Sequence, residues 1–495
     1  MASILRRPIL VGGLGLTLLL WLWQSFDDFA GQMDEVGVLG IVAVGGLLLF
    51  QKRKSKDKPI QMDLWAIDRA TVENAIAQVE PMITQLEVES PNHQAIVRFR
   101  ENLAALTAEL TRKEITVAVT GGKAVGKTTL IQLLQSNWAS QANQTILLKE
   151  TLALFTATET TSIVENDTDA FAVKSDLVLF VTTGDLTESE FETLKQMRES
   201  NQAVVLVFNK EDRYLPEERE LVLQQLQQRM QGMVGREDVL AIATSPQAIK
   251  VRQHQVDGTV KEWLEESVPA ISPLTERLSQ IVAQQSQQLV LATTWRAALA
   301  LKAEAKSVLN EVRRDRALPV IEQYQWITAA TTFANPVPAL DLVATGAINA
   351  QLIVDLSSIY QQKFSLEQAK TLATTMGSLM LKLGLVELST QTITSVLKSN
   401  AITFVAGGLV QGVSGAYFTR IAGLSLIEYF QEQDAVSSEG ENNLNINRLR
   451  ETLSKVFQQN QRISFLQSFV KQAAEKLALQ PSQPQLASAE TVVNG

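Results

Sequence analysis

The 495-residue chain contains no cysteine and only two histidines, His93 and His254. Without thiols there can be no disulfide, no cysteine nucleophile and no zinc–thiolate site, and the redox compartment stays open. The two histidines lie far apart in sequence, so neither a histidine metal site nor a catalytic triad is expected, and we predict both at the solvated surface. Any chemistry must therefore come from other residue types.

An excess of basic residues is also missing, because 44 Lys and Arg stand against 53 Asp and Glu, for a net charge of -9. Binding to nucleic acid needs a basic face that neutralises phosphates, so we expect no nucleic-acid partner. With 45% hydrophobic and 20% charged residues, the chain can bury a large core. Its length suits about three domains.

Charge is absent from two stretches near the N-terminus, Pro8 to Phe26 and Val36 to Gln51. The first has the length of about 20 apolar residues that a membrane-spanning helix needs, whereas the second is short. The loop between them, DDFAGQMDE, is acidic, and the outer flanks are basic, with Arg6 and Arg7 before and five basic residues from Lys52 to Lys58 after. The positive-inside rule therefore predicts an integral membrane protein, anchored by a transmembrane hairpin over residues 1–58, with both termini cytoplasmic. A cleaved signal peptide and a re-entrant second stretch are alternatives.

Residues 59–113 are predicted to form a helical linker. Its first helix runs from about Met62 to Val88 with a kink at Pro81, and its second opens at Ser90-Pro91, a cap residue followed by proline. Over residues 114–270, short apolar strands alternate with helices, which predicts a doubly wound α/β domain with a parallel sheet covered on both faces. The predicted strands are Ile115 to Thr120, Thr145 to Leu148, Leu177 to Val181, Val204 to Phe208 and Val239 to Ala243.

The remainder of the chain is predicted to be all-α. One long connecting helix from Pro273 to about Leu318 spans residues 271–319, and a helical domain follows over 320–431. A polar linker and a C-terminal helix then fill residues 432–479, before a disordered tail over 480–495. The uncharged run from Ala401 to Thr419 could cross a bilayer. Its polar residues favour a core helix of a bundle, and reversible membrane contact is the alternative.

The sequence GGKAVGKT fits the phosphate-binding loop pattern and lies between a predicted strand and a predicted helix. Glycines let consecutive N–H groups point at an anion, and the helix that follows offers its positive end. Lys127, expected in a solvent-facing loop, would neutralise the β- and γ-phosphates, and the Thr128 hydroxyl would ligate Mg²⁺. The predicted phosphate-binding residues are Gly121, Gly122, Lys123, Ala124, Val125, Gly126, Lys127, Thr128 and Thr129.

A base-reading motif, Asn209-Lys210-Glu211-Asp212, directly follows the predicted strand AVVLVF. The Asp212 carboxylate can accept two hydrogen bonds from the N1–H and N2–H₂ groups of guanine, and adenine lacks this pair of donors. The stretch Ala243-Thr244-Ser245 occupies the place of a further guanine-contacting loop. The predicted guanine-binding residues are Asn209, Lys210, Asp212, Thr244 and Ser245.

With these two motifs, residues 114–270 resemble the Era- and Ras-like GTPases. The helical half resembles the YcjF-like domain of unknown function found in bacterial GTPases, on the stretches NPVPALDLVATGAINAQLIVDLSSIYQ and AITFVAGGLVQGVSGAYF. The resemblance implies a P-loop G domain that binds GTP or GDP with Mg²⁺. Implied partners are the lipid bilayer and a guanine nucleotide, and a homo-oligomer or another protein partner stays open.

The third GTPase motif, DxxG, has no intact counterpart. The best candidate is Glu150-Thr151-Leu152-Ala153, and Asp167-Thr168-Asp169-Ala170 is the second. No glutamine or arginine can be assigned to orient the attacking water, so whether GTP is hydrolysed is left open. The first hypothesis is a membrane-anchored GTP-binding protein with slow or partner-dependent hydrolysis. The alternatives are a dynamin-like membrane-remodelling GTPase and a scaffold that binds nucleotide without turnover.

Overall fold

The computed structural model describes residues 67–142, 144–154, 174–254, 260–334, 338–399, 408–432, 445–460 and 463–478. The predicted transmembrane hairpin, the candidate motif at residues 167–170 and the predicted disordered tail lie outside these ranges. Among the helices of the described ranges, none combines the length and the apolar character that a membrane crossing requires.

Three helices precede the sheet: α1 (Arg69–Ala77), α2 (Glu80–Glu89) and α3 (Ala95–Glu109). The prediction of one kinked helix was wrong, because the first helix ends at Ala77 and a second begins at Glu80. Pro81 lies in the first turn of α2, where its missing N–H needs no hydrogen-bond partner. The start predicted at Ser90-Pro91 was also wrong. His93 is half-buried, and its Nδ1 accepts a hydrogen bond from the Ala95 N–H at 3.2 Å, so α3 begins there.

The five-stranded sheet has the order β2–β1–β3–β4–β5, and every pair is parallel. Strands β3 and β4 are buried at every residue, since helices cover both faces. The parallel α/β prediction is therefore confirmed. The strands are β1 (Ile115–Gly121), β2 (Ile146–Glu150), β3 (Leu177–Thr182), β4 (Ala203–Phe208) and β5 (Val239–Ala241), and the helices are α4 (Lys127–Asn137), α5 (Glu188–Glu199) and α6 (Pro216–Arg229).

Strand β5 is two residues shorter than predicted, and Ala243 instead forms an antiparallel bridge with Ala270. Between these two residues lies an antiparallel hairpin of β6 (Ile249–His254) and β7 (Val260–Glu265), which sequence reasoning missed. A signal was present, because Asp257-Gly258 is a strong hairpin-turn dipeptide.

Helix α7 (Ser272–Ala334) has 63 residues, which corresponds to about 95 Å at 1.5 Å per residue. Its predicted end at Leu318, and with it the boundary between residues 319 and 320, was wrong, because the helix continues through Pro319. Ala317 and Ile321 are fully buried on either side of the proline. Ile321 also packs directly over Gly423, so tertiary contacts offset the hydrogen bond that proline removes.

The C-terminal region is helical, as predicted: α8 (Pro338–Ile359), α9 (Leu366–Lys382), α10 (Leu385–Ser399), α11 (Gly408–Glu432), α12 (Ile446–Asn460) and α13 (Ile463–Ala478). These helices and the second half of α7 share one apolar core. Over the span where one helix was predicted, Asn447 to Leu479, the described residues are helical and form α12 and α13. Helices α1–α3 pack on the middle of α7 in a separate apolar cluster.

Candidate functional site

The predicted phosphate-binding loop connects β1 to α4 at the carboxyl edge of the sheet. Gly121 and Gly126 have φ angles of 144° and 99°, which side chains rarely adopt. A Cβ atom on Gly121 would collide with the Val181 carbonyl, and one on Gly126 would collide with the Asn209 amide. Both positions therefore require glycine for conformation and for space.

Lys127 follows a loop that is exposed at Lys123 and Ala124, but its own side chain is only 6% exposed. Its ammonium folds over the loop and donates to the Gly121 carbonyl at 3.0 Å and to the Gly122 carbonyl at 2.8 Å. Burial lowers the pKa of Lys127, and the nearby Glu150 carboxylate acts in the opposite direction. The loop thus holds a partly desolvated cation, a suitable counter-charge for a polyphosphate.

The other loop residues differ in their exposure. Lys123 and Ala124 face solvent, and Ala124 adopts a φ of 59°. Val125 is buried beneath the loop, and Thr129 is half-buried in the first turn of α4. The backbone, rather than these side chains, forms the cradle.

Thr128 and Glu150 lie together, although 22 residues separate them. The Thr128 hydroxyl donates to the Glu150 carboxylate at 2.8 Å and 3.1 Å. A hydroxyl and a carboxylate are the hard oxygen ligands that Mg²⁺ prefers, usually alongside water and substrate phosphates. The pair therefore fits a magnesium ion shared with a nucleotide. Within the described ranges there is no cluster of three or more acidic or histidine side chains that could bind a metal unaided.

The segment after β2 passes against the phosphate-binding loop. Thr151 donates its N–H to the Val119 carbonyl at 3.0 Å, and Leu154 donates its N–H to the Gly121 carbonyl at 3.1 Å. Ala153 is half-buried between them. The structure therefore places the first candidate for the third motif, Glu150 to Ala153, at the site.

Asn209 is fully buried and ties three loops together. Its amide nitrogen donates to the Val125 carbonyl at 2.8 Å and to the Thr244 hydroxyl at 3.0 Å, and its amide oxygen accepts from the Thr244 N–H at 3.1 Å. Lys210, with a φ of 63°, donates to the Ala124 carbonyl at 2.6 Å. The first two residues of the base-reading motif thus hold the phosphate-binding loop.

Asp212 lies on a short 3₁₀ turn, Glu211–Arg213, directly after them. One carboxylate oxygen accepts from the Gln247 N–H at 3.1 Å. The other oxygen is buried and has no hydrogen-bond partner anywhere in the described chain. An unpaired buried carboxylate oxygen is costly, so this atom is suited to accept from a ligand.

Two further residues were predicted to bind guanine. Thr244 is buried and hydrogen-bonded to Asn209, whereas Ser245 is exposed. Sequence reasoning missed Gln247, whose N–H orients Asp212. It follows Thr244 by three residues on the same loop, but nothing in its residue type indicated that role.

Comparisons with known proteins cover both halves of the chain. The family described as "Domain of unknown function (DUF697)" matches residues 296–462, which contain the predicted helical domain. A search of curated proteins finds no match.

Two solved structures are similar to the chain. One is described as "LeoA bacterial dynamin GTPase from ETEC", at 12% identity and a TM-score of 0.28, covering 84% of this chain and 95% of that one. The other, at 12% identity and a TM-score of 0.24, covers 82% of this chain and 79% of that one. Its title is "An oligomerised bacterial dynamin pair provides a mechanism for the long-range sensing and tethering of membranes".

Proposed function

We propose that this chain is a membrane-anchored protein that binds GTP or GDP through the α/β domain, with slow or partner-dependent GTP hydrolysis. The observation that carries the proposal is the buried, unpaired oxygen of Asp212, at the same sheet edge as the phosphate-binding loop. In this proposal Asp212 recognises the base, and the phosphate-binding loop recognises the phosphates.

The phosphates are bound by the backbone N–H groups of the loop and by the N-terminus of α4. Lys127 already lies over this loop, with its ammonium on the Gly121 and Gly122 carbonyls. In the proposed complex the ammonium would pair with a phosphate oxygen, which exchanges neutral carbonyl acceptors for a charged one.

Magnesium would be held by the Thr128 hydroxyl, with Glu150 as the neighbouring acidic partner. When bound, the ion neutralises charge on the β- and γ-phosphates. Glu150 accepts the hydrogen bond of Thr128, which orients the hydroxyl toward β2. The two side chains are thereby held side by side.

The base is read by Asp212, which Gln247 orients. Guanine offers adjacent N–H donors to this carboxylate, whereas adenine would leave the buried oxygen unpaired. Asn209 and Lys210 support this selection by holding the turn against the phosphate-binding loop. Base and phosphates are therefore bound at a defined separation.

Nucleotide competition on the full chain tests the proposal. We expect GDP and GTP to bind far more tightly than ADP and ATP, and Asp212→Asn to weaken guanine binding by roughly a hundredfold or more while favouring xanthine. Glu211→Gln is the matched control, because this neighbouring carboxylate faces Arg219 at 3.8 Å instead of the ligand. Equal affinities for all four nucleotides would refute guanine recognition.

Membrane anchoring by residues 1–58, with both termini in the cytoplasm, is part of the proposal and rests on the charge pattern of that region. Protease treatment of right-side-out vesicles should spare everything after Lys52. Digestion of the α/β domain from outside would overturn this topology.

A second candidate function is dynamin-like membrane remodelling, favoured by the packing of α1–α3 along the middle of the 63-residue helix α7. Such an assembly of helices can serve as a stalk beyond the α/β domain. Nucleotide-dependent assembly on liposomes, followed by sedimentation, separates this candidate from the first. Retained nucleotide binding without turnover would instead indicate the scaffold.

A further inference from the structure

The helical region contains a cavity of about 560 Å³ among α8, α9, α10 and α11. This volume lies in the range of about 300–1,000 Å³ typical of small-molecule sites. In the described part of the chain the lining is mostly aliphatic, with Leu352, Ile353, Met376, Met380, Leu426 and the ring of Phe418. Water molecules would find few hydrogen-bond partners in such a space, because the lining offers few polar groups.

Two glycines create part of this space. Gly346 in α8 and Gly377 in α9 both line the cavity, and a Cβ atom on either would meet nothing within 4 Å. Glycine in the middle of a helix is destabilising by about 0.5–1 kcal/mol relative to alanine. Neither a close helix contact nor a positive φ angle accounts for these two positions. Space inside the cavity does account for them.

The cavity opens along α9. Thr374, Gly377 and Leu381 line it and are exposed at the same time, and Leu381 is 66% exposed although it is apolar. Their spacing of three and four residues places them in one row on the helix. A ligand can therefore enter from solvent or from a bilayer along this row.

One polar atom distinguishes the interior. The side-chain oxygen of Asn349, another lining residue, is buried and finds no hydrogen-bond partner in the parts of the chain that are described. A ligand hydroxyl can donate to this oxygen and would remove the cost of its burial. The two methionines of the lining can adapt to a flexible chain, since their side chains are unbranched and polarisable.

We propose that this cavity binds one long alkyl or acyl chain that ends in a hydroxyl-bearing head group, with the hydroxyl on Asn349. The aliphatic walls recognise the chain, the small residues on α8 and α9 leave room for it, and the row on α9 admits it. The site belongs to the helical region and is independent of nucleotide binding.

The absence of cysteine from the chain allows a direct test in the full-length protein, held in a detergent-free amphipathic polymer. Ser378→Cys introduces a single thiol in the cavity lining, and Thr371→Cys is the matched control, exposed on the same helix outside the lining. The rate of thiol alkylation by N-ethylmaleimide is measured with and without 1-dodecanol. We expect dodecanol to slow the reaction at least fivefold in Ser378→Cys and to leave Thr371→Cys unchanged.

Two further variants make the outcome specific. In the Ser378→Cys background, Asn349→Leu should reduce the protection by dodecanol to that given by dodecane. Gly377→Met should fill the opening, raise Tm in the absence of ligand and abolish protection. The same alkylation rate is measured with phosphatidylcholine vesicles in place of dodecanol, to test whether a bilayer lipid supplies the acyl chain. If neither dodecanol nor vesicles slow alkylation of Ser378→Cys, or if they slow the control equally, the proposal is overturned.

Discussion

At the scale of single residues, the site depends on backbone positions that admit glycine alone. Gly126 combines a φ of 99° with the Asn209 amide in the place that a Cβ would occupy. Asn209 itself cannot move, because it is fully buried and bonded to Val125 and Thr244. One glycine therefore supports the phosphate-binding loop and the base-reading loop together.

We predict that Gly126→Ala abolishes nucleotide binding and lowers the free energy of unfolding of the α/β domain by about 1–3 kcal/mol, from backbone strain and the clash with Asn209. The control is Gly232→Ala, because Gly232 also has a positive φ, of 80°, but has no atom within 4 Å of the added methyl group. It should cost about 1–2 kcal/mol and leave binding intact. Urea unfolding and a GDP titration on the same samples measure both quantities.

Thr128 and Glu150 lead to a second prediction at this scale. Thr128→Ala should remove the Mg²⁺ dependence of GTP affinity, because the hydroxyl is the proposed ligand of the ion. Glu150→Gln should weaken that dependence without abolishing it, since the amide keeps a hydrogen-bonding oxygen near Thr128 but loses the charge. Titrations of GTP with and without Mg²⁺ test this, and an unchanged Mg²⁺ dependence in both variants would contradict the assignment.

At the scale of elements, α7 is attached to the sheet through a buried cation. Arg296 donates to the Ser175 carbonyl at 2.9 Å and to the Asn201 carbonyl at 2.8 Å. These two residues lie just before β3 and β4, at the edge opposite the nucleotide site. Burial lowers the pKa of Arg296 to about 10, so the group is still charged at neutral pH. The hydrogen bonds connect the long helix to the sheet.

We predict that Arg296→Met destabilises the chain by about 1–3 kcal/mol, because it removes the donor to the Asn201 carbonyl and one of the donors to the Ser175 carbonyl, which also accepts from Gln202 at 2.9 Å. Lys302→Met on the same helix is the control, since this lysine makes only one exposed hydrogen bond, to Gln78 at 2.8 Å. Its effect should stay within about 0.5 kcal/mol. Equal effects of the two substitutions in urea unfolding would show that Arg296 does not anchor the helix.

At the scale of the whole molecule, helix α7 contributes residues to the apolar core of the C-terminal helices and to the apolar cluster with α1–α3, and its Arg296 bonds to the sheet. Glu89 at the end of α2 links them further, because it pairs with the buried Arg313 of α7 at 2.7 Å and accepts from Gln361, just past α8, at 3.1 Å. The helices before the sheet and those after it therefore meet at one carboxylate. A rearrangement of one set would have to break this junction or carry the other set along.

Turnover is the prediction that belongs to the whole molecule. We expect the isolated chain to hydrolyse GTP very slowly, because the first candidate for the third motif has Ala153 in place of the γ-phosphate-sensing glycine, and no residue is assigned to orient water. A missing group of this kind costs about three to five decades of rate. A membrane, a partner or a second copy of the chain can supply it.

Single-turnover assays with and without liposomes, at several protein concentrations, measure this. Fast hydrolysis by dilute protein without lipid would mean that other residues perform the switch role. Glu150→Asp combined with Ala153→Gly should raise the preference for GTP over GDP. An unchanged preference would move the third motif elsewhere, with Asp167 as the next candidate.

The sequence by itself determined the parallel sheet, and it predicted the residues of the candidate nucleotide site. The buried strands are continuous apolar runs, and the phosphate-binding loop is one contiguous strand–loop–helix segment, so neighbouring residues alone carry the signal. Asn209 and Asp212 follow a strand whose carboxyl end must lie at the same edge as that loop. The hairpin of β6 and β7 was also within reach, through Asp257-Gly258.

The tertiary structure decided the features that join distant parts of the chain. The contact of Thr128 with Glu150 and the orientation of Asp212 by the Gln247 N–H join groups that are distant in the sequence, and no local pattern encodes such distances. The burial of Lys127 likewise depends on the elements that pack around its loop. The course of α7 through Pro319 depends on its packing against α11, which outweighs the local tendency of proline to end a helix. Local propensity is set by neighbouring residues, whereas these features result from contacts that form only when the whole chain folds.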